Sequence, residues 1–249
     1  MRVGIATVLL VAVVLLSTAR ADQVNPPFER IPSRSQIEDL QGKLPGAGAP
    51  TVKPRSIIQV GLDLIKLFEG WSSDPYDDPS HYCTIGYGHL IKKAKCQDTD
   101  LDEDPIFINF PKSFSREDGN KVLAIDTRSA RLAVQRNVKV TLDNNQFSAL
   151  TSFVFNVGSG NFVDSSLLIA LNDSDFESAK KEFPKWVRSD GKKLHGLEVR
   201  RNCEVALFDG RTLARREDGN IDENKCGAAI GAGPASSETI DIITGQVFR

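Results

Sequence analysis

Phe68-Glu69-Gly70-Trp71-Ser72-Ser73-Asp74-Pro75-Tyr76-Asp77-Asp78-Pro79-Ser80-His81-Tyr82-Cys83-Thr84-Ile85-Gly86-Tyr87-Gly88 switches from helical to strand periodicity within a few residues. Upstream of it, Ile58, Leu62, Ile65 and Phe68 recur at helical spacing, so an amphipathic helix runs into the stretch and stops at Gly70. After a turn-rich interval, Tyr76-Asp77 and Tyr82 to Tyr87 read as two strands joined by Asp78-Pro79-Ser80-His81. Glu69 lies four residues past Ile65 and seven past Leu62. It therefore ends the helix on the edge of its buried face, an apolar setting in which a carboxyl group holds its proton. Asp78 falls in the hairpin turn and Thr84 on the second strand. Gly86 and Gly88 permit close approach by a ligand or a neighbouring strand.

Downstream the chain turns helical. Ser115 with Asp118 starts a helix that places Val122, Ile125, Leu132 and Ala133 on one face. Asp143 with Gln146 forms a capping box before Phe147, Leu150, Thr151, Val154 and Val157, and Gly158 ends that helix. Asp175 opens Phe176, Ala179, Phe183 and Trp186, and Leu197 to Phe208 form the last helix. The fold class is α+β, a small hairpin lobe beside a larger helical lobe with a cleft between them.

The flanks read differently. Arg2 precedes an apolar run from Val3 to Leu16 that is short for a bilayer span, and Ala19-Arg20-Ala21 is a small-x-small cleavage site. Residues 1–21 are expected to be a signal peptide; the alternative is a retained anchor. Residues 22–54 carry six of the twelve prolines and read as a leader or propeptide. The catalytic domain is expected over 55–209. Residues 210–249, rich in Gly, Ser and acid, form a C-terminal appendage without a helical stripe until Ile240 to Phe248. Five acids between 98 and 104, then the apolar Ile106 to Pro111, mark a surface insertion.

With 31 basic and 33 acidic side chains, net charge -2, nothing advertises nucleic acid as a partner. His81, His89 and His195 and the four cysteines show no metal-ligand spacing, so neither a metal nor another cofactor is expected. Export gives the cysteines an oxidising setting, in which four residues allow three pairings; short loops favour Cys83 with Cys96 and Cys203 with Cys226. From 180 to 201 eight basic side chains face three acidic ones, a patch that suits either an anionic wall polymer or a solvated helix face. Asn172-Asp173-Ser174 is a glycosylation sequon.

Glu69, Asp78 and Thr84 are spaced by nine and six. A helix end and a hairpin turn can hold two carboxyl groups in unlike surroundings across one groove, the asymmetry that glycoside hydrolysis needs. By spacing alone the signal is weak, since Asp74 and Asp77 lie in the same loop. The motifs add to it. Phe68-Glu69-Gly70, Tyr76-Asp77-Asp78-Pro79 and Tyr82-Cys83-Thr84-Ile85-Gly86-Tyr87-Gly88-His89-Leu90 resemble the active-site segment of the bacteriophage-type lysozymes, the endolysin family of muramidases (glycoside hydrolase family 24). Gln146 to Leu150, Ser152 to Gly158, Ser166-Leu167-Leu168 with Leu171-Asn172, Phe183 with Trp186, and Gly196 to Arg201 with Glu204 continue the resemblance in order.

That resemblance implies a lysozyme-like fold and an enzyme that cuts the β-1,4 bond between MurNAc and GlcNAc of peptidoglycan with inversion. Glu69 would be the general acid, Asp78 would position water and Thr84 would hold it. Leu90, Phe155, Asn156 and Ser166 resemble substrate-binding positions lining the cleft. Arg200 or Arg201 would tune Glu69, or Arg200 would pair with Glu204 on the surface, and His89 reads as a structural hydrogen-bonding group. The expected partner is bacterial peptidoglycan, with no nucleic acid and no stable membrane association; the expected state is a secreted, extracellular monomer. The acidic insertion, the cysteines and the export signal depart from a compact phage enzyme. Rival readings are a lytic transglycosylase or chitinase-like enzyme, and a non-catalytic peptidoglycan-binding protein on the same scaffold.

Overall fold

The computed structural model describes residues 53–78, 80–99, 114–227 and 237–249. All of them belong to one compact unit, residues 45–249. The expected signal peptide, nearly all of the leader and the greater part of the acidic insertion, residues 100–113, lie outside the described residues.

Helix α1, Gln59–Glu69, buries Gly61, Leu64 and Ile65 and ends at Gly70, whose φ of 73° is open to glycine. It leads straight into a three-stranded antiparallel sheet: β1 Ser72–Asp77, β2 Cys83–Gly86 and β3 His89–Lys92, in that order. The sequence suggests only two strands. The third arises because Gly86 and Gly88, at φ 67° and 80°, reverse the chain and bring Ile85 opposite His89. Cys83, buried on β2, is bonded to Cys96, and its backbone N–H donates to the Ala94 carbonyl over 2.8 Å.

The helical lobe contains α2 Arg116–Asp126, α3 Arg128–Asn137, α4 Asn144–Val157, α5 Ser159–Val163, α6 Ser166–Asn172, α7 Phe176–Glu182 and α8 His195–Phe208. Ser115 caps α2 by accepting from the Asp118 N–H, and Asp143 with Gln146 completes the capping box of α4. Thr127 separates α2 from α3, donating its hydroxyl to Ala124 O. The break takes Ile125 off the common face expected for it, leaving it 43% exposed. Helix α4 lies at the centre, packed against α1, α3 and α8, and Phe147, Leu150, Phe153 and Val154 on it are buried. Gly61 lets α1 approach closely, since a Cβ there would sit 2.7 Å from Ser148 Cβ.

Residues 211–227 return along the helical lobe, tied down by the Cys203–Cys226 disulfide. Both disulfides therefore follow the short-loop pairing. The segment from 237 contributes β6 Thr239–Ile240 and β7 Val247–Phe248. This apolar run is a hairpin rather than a helix, with its register set by Ile240 opposite Val247. It docks on the hairpin of β4 Arg188–Ser189 and β5 Lys192–Lys193. Ile242 N–H donates to Arg188 O, and the Arg188 guanidinium lies 4.5 Å from the centre of the Phe248 ring. Among the described residues no helix is long and apolar enough to cross a membrane.

Candidate active site

Each part of the expected triad is set by a different local device. Glu69 is the last residue of α1, Asp78 follows β1, and Thr84 sits on β2 opposite Tyr76. Asp78 makes its own turn: its Oδ1 accepts from the Ser80 and Tyr82 N–H groups, both at 2.8 Å, and its N–H donates to Tyr82 O. Among the described residues no hydrogen bond falls on Asp78 Oδ2. The carboxylate is thereby oriented by backbone while one oxygen is left for another task. Thr84 is 4% exposed and donates its hydroxyl to Tyr82 O over 3.0 Å, so its lone pairs remain as acceptors.

Glu69 faces the turn between β2 and β3. A Cβ built on Gly88, in the β2–β3 turn, would lie 3.7 Å from Glu69 Oε2. The Tyr76 phenol, raised above the ordinary tyrosine range by burial, is raised further by the charges of Asp78 and Glu69. Tyr76, two residues before Asp78 and opposite Thr84, thus feels the charge of both acids, a residue that the sequence did not single out.

The surroundings of Glu69 differ from the apolar face expected at the end of α1. Helix α8 passes over that end and delivers Arg200, whose Nη1 donates to Glu69 Oε1 over 2.7 Å. Arg200 is 3% exposed and is no part of a surface pair with Glu204. Its Nε donates to Glu204 Oε1 at 3.2 Å, its Nη2 donates to Ser152 O, and its guanidinium lies 5.5 Å from the Phe68 ring centre. Burial alone would lower the Arg200 pKa, but Glu69 and Glu204 together hold it above the usual arginine value.

Of the expected substrate-binding residues, Leu90 pairs across the sheet with Thr84. Phe155 packs where the two hydrophobic clusters meet, against the Leu150 group on one side and the Ile65, Tyr87 and Leu123 group on the other. Asn156 accepts from Arg201 Nη2 over 2.7 Å. Ser166 is the exposed first residue of α6, while its neighbour Ser165 caps that helix; no contact of the described residues joins Ser166 to Glu69 or Asp78. The basic patch around α7 and α8 is largely spent within the chain. Lys180 pairs with Glu177 and Asp209, Lys185 with Glu182 and Glu238, and Lys193 with Glu198.

A helix ending in a carboxylate, a three-stranded sheet presenting a second one, and a helical lobe clamping the first define a lysozyme-type enzyme scaffold. A family model for phage lysozyme matches residues 66–204. The endolysin of Bacillus phage B103 is 37% identical over 61% of this chain, which spans 54% of that relative's length. The endolysin of Acyrthosiphon pisum secondary endosymbiont phage 1 is 33% identical, with 61% of this chain matched to 97% of it. A mutant P22 lysozyme crystal structure superposes with TM-score 0.51 at 29% identity, over 62% of this chain and 98% of that one. The chain belongs to the phage lysozyme family.

Proposed function

We propose that this protein is a secreted muramidase that hydrolyses the β-1,4 bond between MurNAc and GlcNAc in bacterial peptidoglycan, with Glu69, Asp78 and Thr84 as its catalytic residues. The observation that carries the reading is that Glu69 and Asp78 are held by unlike partners, a guanidinium for one and backbone amides for the other, while the charges of both act on the Tyr76 phenol. Glu69 donates its proton to the glycosidic oxygen. Asp78 Oδ2 receives the proton of a water that attacks the anomeric carbon from the opposite face, and Thr84 Oγ1 accepts a hydrogen bond from that water. Such a single displacement inverts the anomeric centre and asks for carboxylates about 6.5–9.5 Å apart. Leu90, Phe155, Asn156 and Ser166 bind the sugars in this reading, which is supported for Leu90 by its pairing with Thr84.

The test is reducing-end release from purified peptidoglycan by the mature protein, beside Glu69→Gln and Asp78→Asn at matched folding. Losses of about 100-fold or more in each variant are expected. Retained hydrolysis in Glu69→Gln would remove the acid assignment. Anhydro products would move the protein to the transglycosylases, and wall binding without cleavage would make it a binding protein. Proton NMR of the first product reads the anomer and checks inversion.

A further inference from the structure

Behind Glu69 lies a set of buried charges that the hydrolytic step does not itself use. Glu204 and Arg201 are both 0% exposed, and Arg200 is 3% exposed. Glu204 Oε1 gathers three donors: Ser152 Oγ at 2.8 Å, Arg200 Nε at 3.2 Å and Arg201 Nη2 at 3.3 Å. Arg201 Nε stands 2.9 Å from Glu204 Oε2 as an ion pair, and the Arg201 guanidinium covers the Phe153 ring at 5.0 Å. Two guanidinium groups, Arg200 and Arg201, thus balance two carboxylates, Glu204 and Glu69, and only Glu69 is reachable from solvent, at 24% exposure.

Such an arrangement is a poor device for stability alone, because desolvation of each ion offsets most of the Coulombic gain and apolar residues of like volume serve equally well. Its geometry is also incomplete as a stabilising network: among the described residues Arg201 Nη1 is buried with no hydrogen-bond acceptor. What the network does accomplish is orientation. Arg200 alone, on a flexible stem, could swing; with Nε fixed by Glu204 and Nη2 by the Ser152 carbonyl, Nη1 has one direction left, and it meets Glu69 Oε1.

We infer that Glu204, backed by Ser152 and Arg201, is a positioning residue that aims Arg200 and through it fixes the Glu69 carboxyl for proton donation. This deepens the muramidase reading and rests on Glu69 as its acid. In Glu204→Gln the shape and one acceptor survive, but two guanidinium groups then face a single carboxylate. The expected result is a fall in kcat of roughly tenfold to a hundredfold with KM unchanged, as misplacement of a reacting group produces. In Arg201→Gln/Glu204→Gln the charge balance returns and a substantial part of kcat with it; a merely structural role would make the double variant worse than either single one.

A thermal double-mutant cycle reads the same coupling without any substrate. Glu69→Gln is expected to lower Tm by about 3 °C more in the Glu204→Gln background than in the parent, since Arg200 then loses its last carboxylate. Additive Tm changes, or an unchanged kcat in folded Glu204→Gln, overturn the inference. Where Glu204→Gln does not fold, the cycle is run on Arg201→Gln/Glu204→Gln with the same expectation. Coupled Tm values combined with full hydrolysis in Glu69→Gln would sink the acid assignment and leave the positioning network standing.

Discussion

His89 shows how a side chain that looks catalytic by position is tied up in structure. It is buried on β3 with Nδ1 3.0 Å from both carboxylate oxygens of Asp126 at the end of α2, so it joins the sheet to the helical lobe. Asp126→Asn is expected to lower stability by about 1–3 kcal/mol, read as a shift in the urea midpoint; an unmoved midpoint would show that the pair carries no net stability. Gly61 is a second such residue. Gly61→Ala pushes a methyl to 2.7 Å from Ser148 Cβ at the α1–α4 contact, and a loss of about 1–3 kcal/mol is expected from the forced separation. At this scale the helix end at Glu69, the turn at Asp78 and the strand at Thr84 were legible because each is written locally. The Arg200 contact was legible only as one of several alternatives, with Arg201 on Glu69 or a surface pair with Glu204 as the others, because it joins residues 131 positions apart and no spacing rule reaches that far. Ser152 and the burial of Glu204 were hidden for the same reason. The sequon offered no such depth: Asn172 Nδ2 donates to Asn137 O and its Oδ1 accepts from Lys139 N–H, so the amide is already engaged in the fold.

Among the elements, the C-terminal hairpin carries its own titration. Asp241 is 1% exposed and accepts from the N–H groups of Gly191, Ile243 and Thr244. Burial alone would raise its pKa, but these amides outweigh burial and hold it below the ordinary aspartate range. A depressed folded-state value means that the anchoring is complete above the unfolded value of about 4 and disappears as pH falls through the lower folded one. Stability of the parent should therefore drop on acidification below about pH 4, while Asp241→Asn, less stable at neutral pH, lacks that part of the pH dependence. Melting curves between pH 3 and 6, about the range concerned, decide it, and parallel curves for both proteins would count against the anchor. The starts of α2, α4 and α7 were readable to within a residue because the capping side chain precedes each one, whereas the break at Thr127 and the end of α7 at Glu182, before Phe183 and Trp186, carry no such mark. The third strand and the β6–β7 hairpin were not: both are two to four residues long, and their identity comes from glycine turns and tertiary partners rather than from a periodicity.

In the whole molecule, two disulfides serve different regions. Cys203–Cys226 closes 23 residues against the helical lobe, and Cys203→Ser/Cys226→Ser is expected to lower stability by about 3 kcal/mol with little change in kcat. Cys83–Cys96 is embedded in the sheet that carries Thr84: Cys83 precedes Thr84, lies opposite Asp77, and Asp77 Oδ1 accepts from the Cys96 N–H at 2.7 Å. Cys83→Ser/Cys96→Ser should therefore reduce hydrolysis more than it reduces Tm; the reverse order would mean that the bridge is remote from turnover. With most of the basic patch neutralised within the chain, hydrolysis of purified peptidoglycan should also change little between low salt and about 0.15 M. The buried arginines behind Glu69 have a kinetic counterpart. Their carboxylate and hydroxyl partners come from α1, α4 and α8, segments that meet only when the chain has closed a loop of 131 residues, so none of the charges can leave water early. During refolding, helical circular dichroism should return before the proposed hydrolysis does, since the contact of Arg200 with Glu69 forms in the final consolidation step.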